Sequence, residues 1–148
     1  MIARLHQRLL NDERGSDAAE IVIIAPIIAM LILVLVAGGR TALADNATQS
    51  AAFAAARAAS LSRDTTSATL NAEDAARRSM AQAGISCTTL TVNVDASGLN
   101  SPIGTTGRVS AAVNCDVNLS DITLPGIPGN RTMSSSAASP VDAYRERG

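Results

Sequence analysis

The chain has 148 residues, with twelve arginines and no lysine against thirteen acids, one histidine and almost no aromatic side chains. With a net charge of −1 and no basic cluster beyond the first turns, it offers no charged surface for nucleic acid. His6 is the single histidine, so nothing downstream can build a His-based triad, a zinc site or a proton shuttle, and the length allows one small domain at most.

Residues 1–14 carry Arg4, Arg8 and Arg14, and a long apolar run follows. From Ile21 to Ala37 no side chain is polar, and twelve of the seventeen residues are Ile, Leu or Val. Extended to Gly39 it gives about 28 Å of helix, enough to cross a bilayer core. Those twelve side chains favour insertion by about 4 to 7 kcal/mol. Pro26 falls one turn into the run and is expected to loosen or kink the helix there. A buried core helix is the bland alternative, but the rest of the chain is small and Ala-rich for wrapping such a segment. Arginines ahead of the run and only Arg40 close behind it place the N-terminus inside and residues 40–148 outside. A secretory signal is the rival, with a small-residue cut near Ala42 or Ala44.

The segment before the run carries a specific pattern: Glu13-Arg14-Gly15-Ser16, then Glu20 five positions after the glycine, then Pro26. Further on, Gln49 and Arg57 stand in the Ala-rich stretch from Asn46 to Ala59. The arrangement resembles the processing site of type IV prepilins, and within that superfamily the TadE-like pseudopilins of tight-adherence pilus systems. TadF-like relatives start similarly, and Asp17 departs from the small residue often found at the second mature position. The resemblance implies cleavage between Gly15 and Ser16 by a prepilin peptidase. Lateral packing with other pilin-like or pseudopilin subunits would follow, at an inner-membrane assembly platform driven by a cytoplasmic ATPase. It also implies that Glu20 of one chain meets the new N-terminal ammonium of its neighbour. A minor pseudopilin of a type II secretion system and an uncleaved single-pass surface binding or scaffold protein are the alternatives.

From Arg40 to Leu61 there is no proline and alanine dominates, so the helix is expected to continue; from Ser16 to Leu61 it would measure about 69 Å. Leu43, Ala47, Ala51, Ala54, Ala58 and Leu61 fall within an arc of about 80° and are expected to be buried. Phe53 lies on the opposite, polar side, either as a lone exposed side chain or as a contact to a neighbouring subunit.

Residues 62–67 read as a loop, and a second helix fits Ala72 to Ala83, with Asn71 as its cap, Asp74 in its first turn and Gly84 as its stop. Ala72, Ala75, Ala76, Met80 and Ala83 would form its buried face, with Arg77 and Arg78 solvated. The pattern then changes to period two. Thr88, Leu90, Val92 and Val94 share one face of a strand, and a second strand turns Val109, Ala111, Val113, Cys115, Val117 and Leu119 inward. Residues 96–107 form the loop of a hairpin, residues 124–129 a turn-rich link, residues 131–139 a third strand, and residues from Pro140 a frayed tail.

Cys87 and Cys115 both lie in the exported portion, where disulfides persist. Their parities conflict: Cys115 belongs to the inward set, and Cys87 matches the outward Thr89 and Thr91. A pairing across the hairpin needs either a bulge or a Cys87 placed before regular pairing begins, and the second is the expectation; two free buried thiols are the alternative.

The fold class expected is therefore α+β and pilin-like: one long N-terminal helix, a short helix and a small antiparallel sheet. Its divisions are a leader at 1–15, a membrane helix at 16–39, its outer continuation at 40–61, a head at 62–139 and a tail at 140–148. The exterior acids are scattered over loops and helix starts, and neither a nucleophile elbow nor a Gly-rich phosphate loop occurs, so neither catalysis nor a cofactor is expected.

Overall fold

The computed structural model describes residues 14–118 and 130–144. Helix α1 (Arg14–Ser60) is followed by α2 (Thr65–Gln82), strand β1 (Cys87–Asp95), a 3-10 turn (Ser97–Asn100), strand β2 (Gly107–Asn118) and strand β3 (Asn130–Val141). The strands form one antiparallel sheet in the order β1-β2-β3, so the architecture is α+β. Compactness divides the chain at Gly39: residues 1–39 are one unit and residues 40–148 another. The turn-rich link at 124–129 and the end of the tail lie outside the described residues.

In the second unit, β2 is the central strand and alternates as its sequence requires. Val109, Ala111, Val113, Cys115 and Val117 are buried, and Leu90, Val92 and Val94 of β1 are half-buried beside them. Met133, Ala137 and Val141 of β3 complete this inner face. It belongs to one core with Ala44, Ala47, Ala51, Ala52, Ala55, Ala56 and Ala59 of α1, and with Ala68, Ala72, Ala76 and Met80 of α2.

The buried face of α1 is turned from the expected one. Ala47 and Ala51 belong to both, but Leu43 and Leu61 stand 64% and 76% exposed, and Ala54 and Ala58 are half-buried. Alanine occupies nearly every side of this helix, so side-chain size decides. The face without bulky side chains lets the sheet and α2 come close, and the leucines are left outside. Thr48, fully buried on this face, satisfies its hydroxyl by donating to the Ala44 carbonyl at 2.8 Å.

Helix α2 begins seven residues before the expected start. Asp64, in extended conformation, caps it: its carboxylate accepts from the Ser67 N–H at 2.8 Å and from the Ser67 hydroxyl at 2.7 Å. That cap outweighs the modest helix propensities of Thr65 and Thr66. Asn71 is therefore mid-helix, and its side-chain amide donates to the Ser62 hydroxyl at 2.9 Å instead of capping. Asp74, likewise mid-helix, pairs with Arg78 at 2.6 Å. Ala75 is half-buried, and Ala83, the terminal cap residue, is exposed rather than buried. The stop is the expected one. Gly84 adopts φ +70°, its N–H donates to the Ala81 carbonyl, and the Ile85 N–H reaches back to Met80, the paired bonds of a Schellman motif.

The bonds from Ser67 hold the exposed Asp64 carboxyl below its ordinary pKa. Because the folded value is the lower one, the stabilisation is present above the unfolded pKa and is lost as pH falls through the folded value. Asp64→Ala should lower Tm at neutral pH, and the difference from the parent should shrink as the pH is taken into the acid range. Thermal melts at a series of pH values check this; a pH-independent difference contradicts it.

Cys87 is not ahead of the sheet. It is the first residue of β1 and pairs with Val117, and a register shift between Cys87 and Thr89 resolves the parity conflict by a bulge. Its sulfur is bonded to Cys115, with the two Cα atoms 5.3 Å apart. The third strand is longer than expected: Pro140 pairs with Arg108 and Val141 with Gly107, so the tail starts only after Val141. Val141 is buried as the next inward residue after Ser139, and an edge strand tolerates proline.

Candidate functional site

In the first unit, Gly15, Ser16 and Glu20 lie in the opening turns of α1, whose helical backbone spaces Ser16 and Glu20 by about 6 Å along the axis. The helix runs on through Pro26 without interruption. From Ile21 to Val36 the large apolar side chains are all exposed, the reverse of a buried core helix. α1 is long and apolar enough to cross a membrane.

Phe53 lies on the half of α1 that belongs to the second unit, and it is 56% exposed. Arg57 follows one turn later, also exposed. About 80 to 140° around the same helix, Ala54, Ala58 and Leu61 form one wall of an open groove of about 470 Å³. The other wall is α2, with Ala75 toward the base and Asp74 and Arg78 among its polar residues. Sequence reading missed this groove. Its lining comes from two helices joined by a short turn, and each half, taken alone, is an ordinary mixture of alanine and surface residues.

The acids are employed locally. Asp64 caps α2; Asp95 accepts from the Ser97 N–H, which holds its carboxyl below the ordinary value; Asp116 accepts from the Thr132 hydroxyl; Asp142 accepts from the Tyr144 N–H. Among the described residues there is no group of three or more His, Cys, Asp or Glu that could hold a metal ion.

These features define a class: a helix fit to span a membrane, leading into a small α+β unit closed by one disulfide. Residues 15–57 match the TadE-like protein family, the family that Gly15, Ser16, Glu20, Pro26 and the Ala-rich stretch resemble. No curated protein and no solved structure matches the chain.

Proposed function

We propose that this chain is a non-catalytic, pseudopilin-like component in the assembly of tight-adherence pili. Residues 16–39 anchor it in the cytoplasmic membrane with the N-terminus inside and residues 40–148 outside. One observation carries this reading: the match to the TadE-like family covers Gly15-Ser16, Glu20, the apolar run and the Ala-rich helix as one continuous block. A prepilin peptidase removes residues 1–15 and leaves an ammonium on Ser16 at the cytoplasmic face. The chain then packs laterally with other pilin-like subunits at the assembly platform. A carboxylate at the edge of so apolar a run is costly unless it is paired. In a bundle of parallel helices staggered by about 6 Å, Glu20 of one chain meets the Ser16 ammonium of the next, and each offsets the burial of the other.

The test uses protein extracted from membranes of cells containing the peptidase. Mass spectrometry should find a mature chain beginning at Ser16, and a bulky residue in place of Gly15 should leave the leader on. Glu20→Ala should be inserted and cleaved normally, since neither the apolar run nor the junction changes, but should cross-link poorly to pilin-like partners. A mature chain starting elsewhere, or undiminished association of Glu20→Ala, contradicts the proposal.

A further inference from the structure

We infer that Phe53 of one copy seats in the α1–α2 groove of a neighbouring copy of this same chain, with Arg57 of the first copy meeting Asp74 of the second. Phe53 is the one phenylalanine in the sequence, and it is held out on a helix whose other side is packed to completion with alanines. An aromatic ring of this kind gains most by entering an apolar pocket rimmed with polar groups. The groove offers that: alanines 54, 58 and 75 leave room for a ring, and Leu61, 76% exposed, supplies an apolar wall.

Charge favours the same occupant. Arg57 lies four residues after Phe53, about 40° around the helix and therefore on the same face. Asp74 stands on the α2 wall with its side chain about half exposed; Arg78 holds its Oδ2, so a second cation would have to approach the other carboxylate oxygen. A seated Phe53 thus brings its own arginine to the one carboxylate among the residues lining the groove, a pairing that fixes register.

Geometry then sets the kind of assembly. Phe53 and the groove residues of α1 are at most eight residues apart, or about 12 Å along the axis. Parallel copies anchored in one membrane can therefore present ring to groove with a small axial shift. Ring and groove are different surfaces, so the contact is head-to-tail and leaves one of each free at the ends. It extends into a row rather than closing as a two-fold dimer.

The inference deepens the lateral-packing reading above and names the surface it would use. It can be tested in membranes with the full-length chain carrying a photo-activatable benzoyl-phenylalanine at position 53. Adducts between two copies, mapped by mass spectrometry to the groove walls at residues 54–61 and 71–82, are expected. Adducts to another protein, adducts elsewhere on the chain, or none overturn the inference. Arg57→Asp should lower the yield about two- to fivefold, and the pair Arg57→Asp with Asp74→Arg should restore it. A yield that falls and is not restored overturns it as well, and melts of each variant exclude simple unfolding. The readout does not depend on leader cleavage or on Glu20. A chain that fails the mass-spectrometric test yet cross-links from position 53 into the groove keeps this contact and loses the pilus reading. The opposite pair of results does the reverse.

Discussion

Replacing Cys87 and Cys115 together by alanine should lower Tm of the extracted protein by about 15 to 25 °C. The disulfide closes a loop with a sequence separation of 28 residues. On the chain-entropy model this stabilises the folded state by about 3 to 4 kcal/mol, and for a unit of this size each kcal/mol is worth about 4 to 8 °C. Few other contributions here are as large. The core is mostly alanine, with Val109, Val113, Cys115 and Thr48 its largest fully buried side chains, so burial contributes little per residue. Position adds to the effect. The bond joins the bulged start of β1 to the central strand, at the point where the register shift weakens ordinary pairing. Circular-dichroism melts of the double variant, with and without reductant for the parent, measure this. Thiol alkylation of the parent without reductant should label neither cysteine. A fall below about 5 °C would show that the β1–β2 ladder holds the hairpin without its cross-link.

What sequence could reveal depended on how many residue types compete for each place. Strand β2 was legible because Val109, Ala111, Val113 and Val117 alternate with polar neighbours, and only one of its faces could be buried. The face of α1 was not. Where alanine sits at 51, 52, 54, 55, 56, 58 and 59, periodicity points in every direction, and Leu43 and Leu61 drew the expected arc toward themselves. Only contact with the sheet and α2 decides that face, and such contacts are not local. The start of α2 turned on a single cap, Asp64 with Ser67, set in a stretch that otherwise reads as loop. For Cys87, parity exposed the conflict but could not choose between a bulge and an early exit from the sheet. The bulge holds. As for the site, Gly15, Ser16 and Glu20 were legible by motif, and the family match covers that block. The α1–α2 groove was not legible, because it exists only where the two helices stand side by side over the shared core.

Gly98→Ala and Gly107→Ala should each destabilise the second unit by about 2 to 3 kcal/mol, the upper end of what overpacking costs. Gly98 lies in the 3-10 turn and Gly107 opens β2. The two backbones are pressed together there. A Cβ on Gly98 would stand 2.1 Å from the Arg108 carbonyl oxygen and 2.4 Å from its nitrogen, and one on Gly107 would stand 2.0 Å from the Gly98 carbonyl oxygen. No side chain can swing aside, because the obstructing atoms are mostly main chain. Relief requires moving either the turn or the end of the central strand. Moving the turn would withdraw Leu99, 3% exposed, from the end of the core it closes. Shifting the strand would disturb the pairing of Gly107 with Val141 and of Arg108 with Pro140. Since both substitutions attack one contact, the double variant should lose less than the sum of the two singles. Gly39→Ala is the control: a Cβ there meets nothing within 4 Å, and alanine favours the helix it would join. Urea titrations of the four variants followed by circular dichroism provide the comparison. If Gly98→Ala and Gly107→Ala unfold at the same midpoint as Gly39→Ala, the turn does not rest on the strand and Leu99 is not held by it.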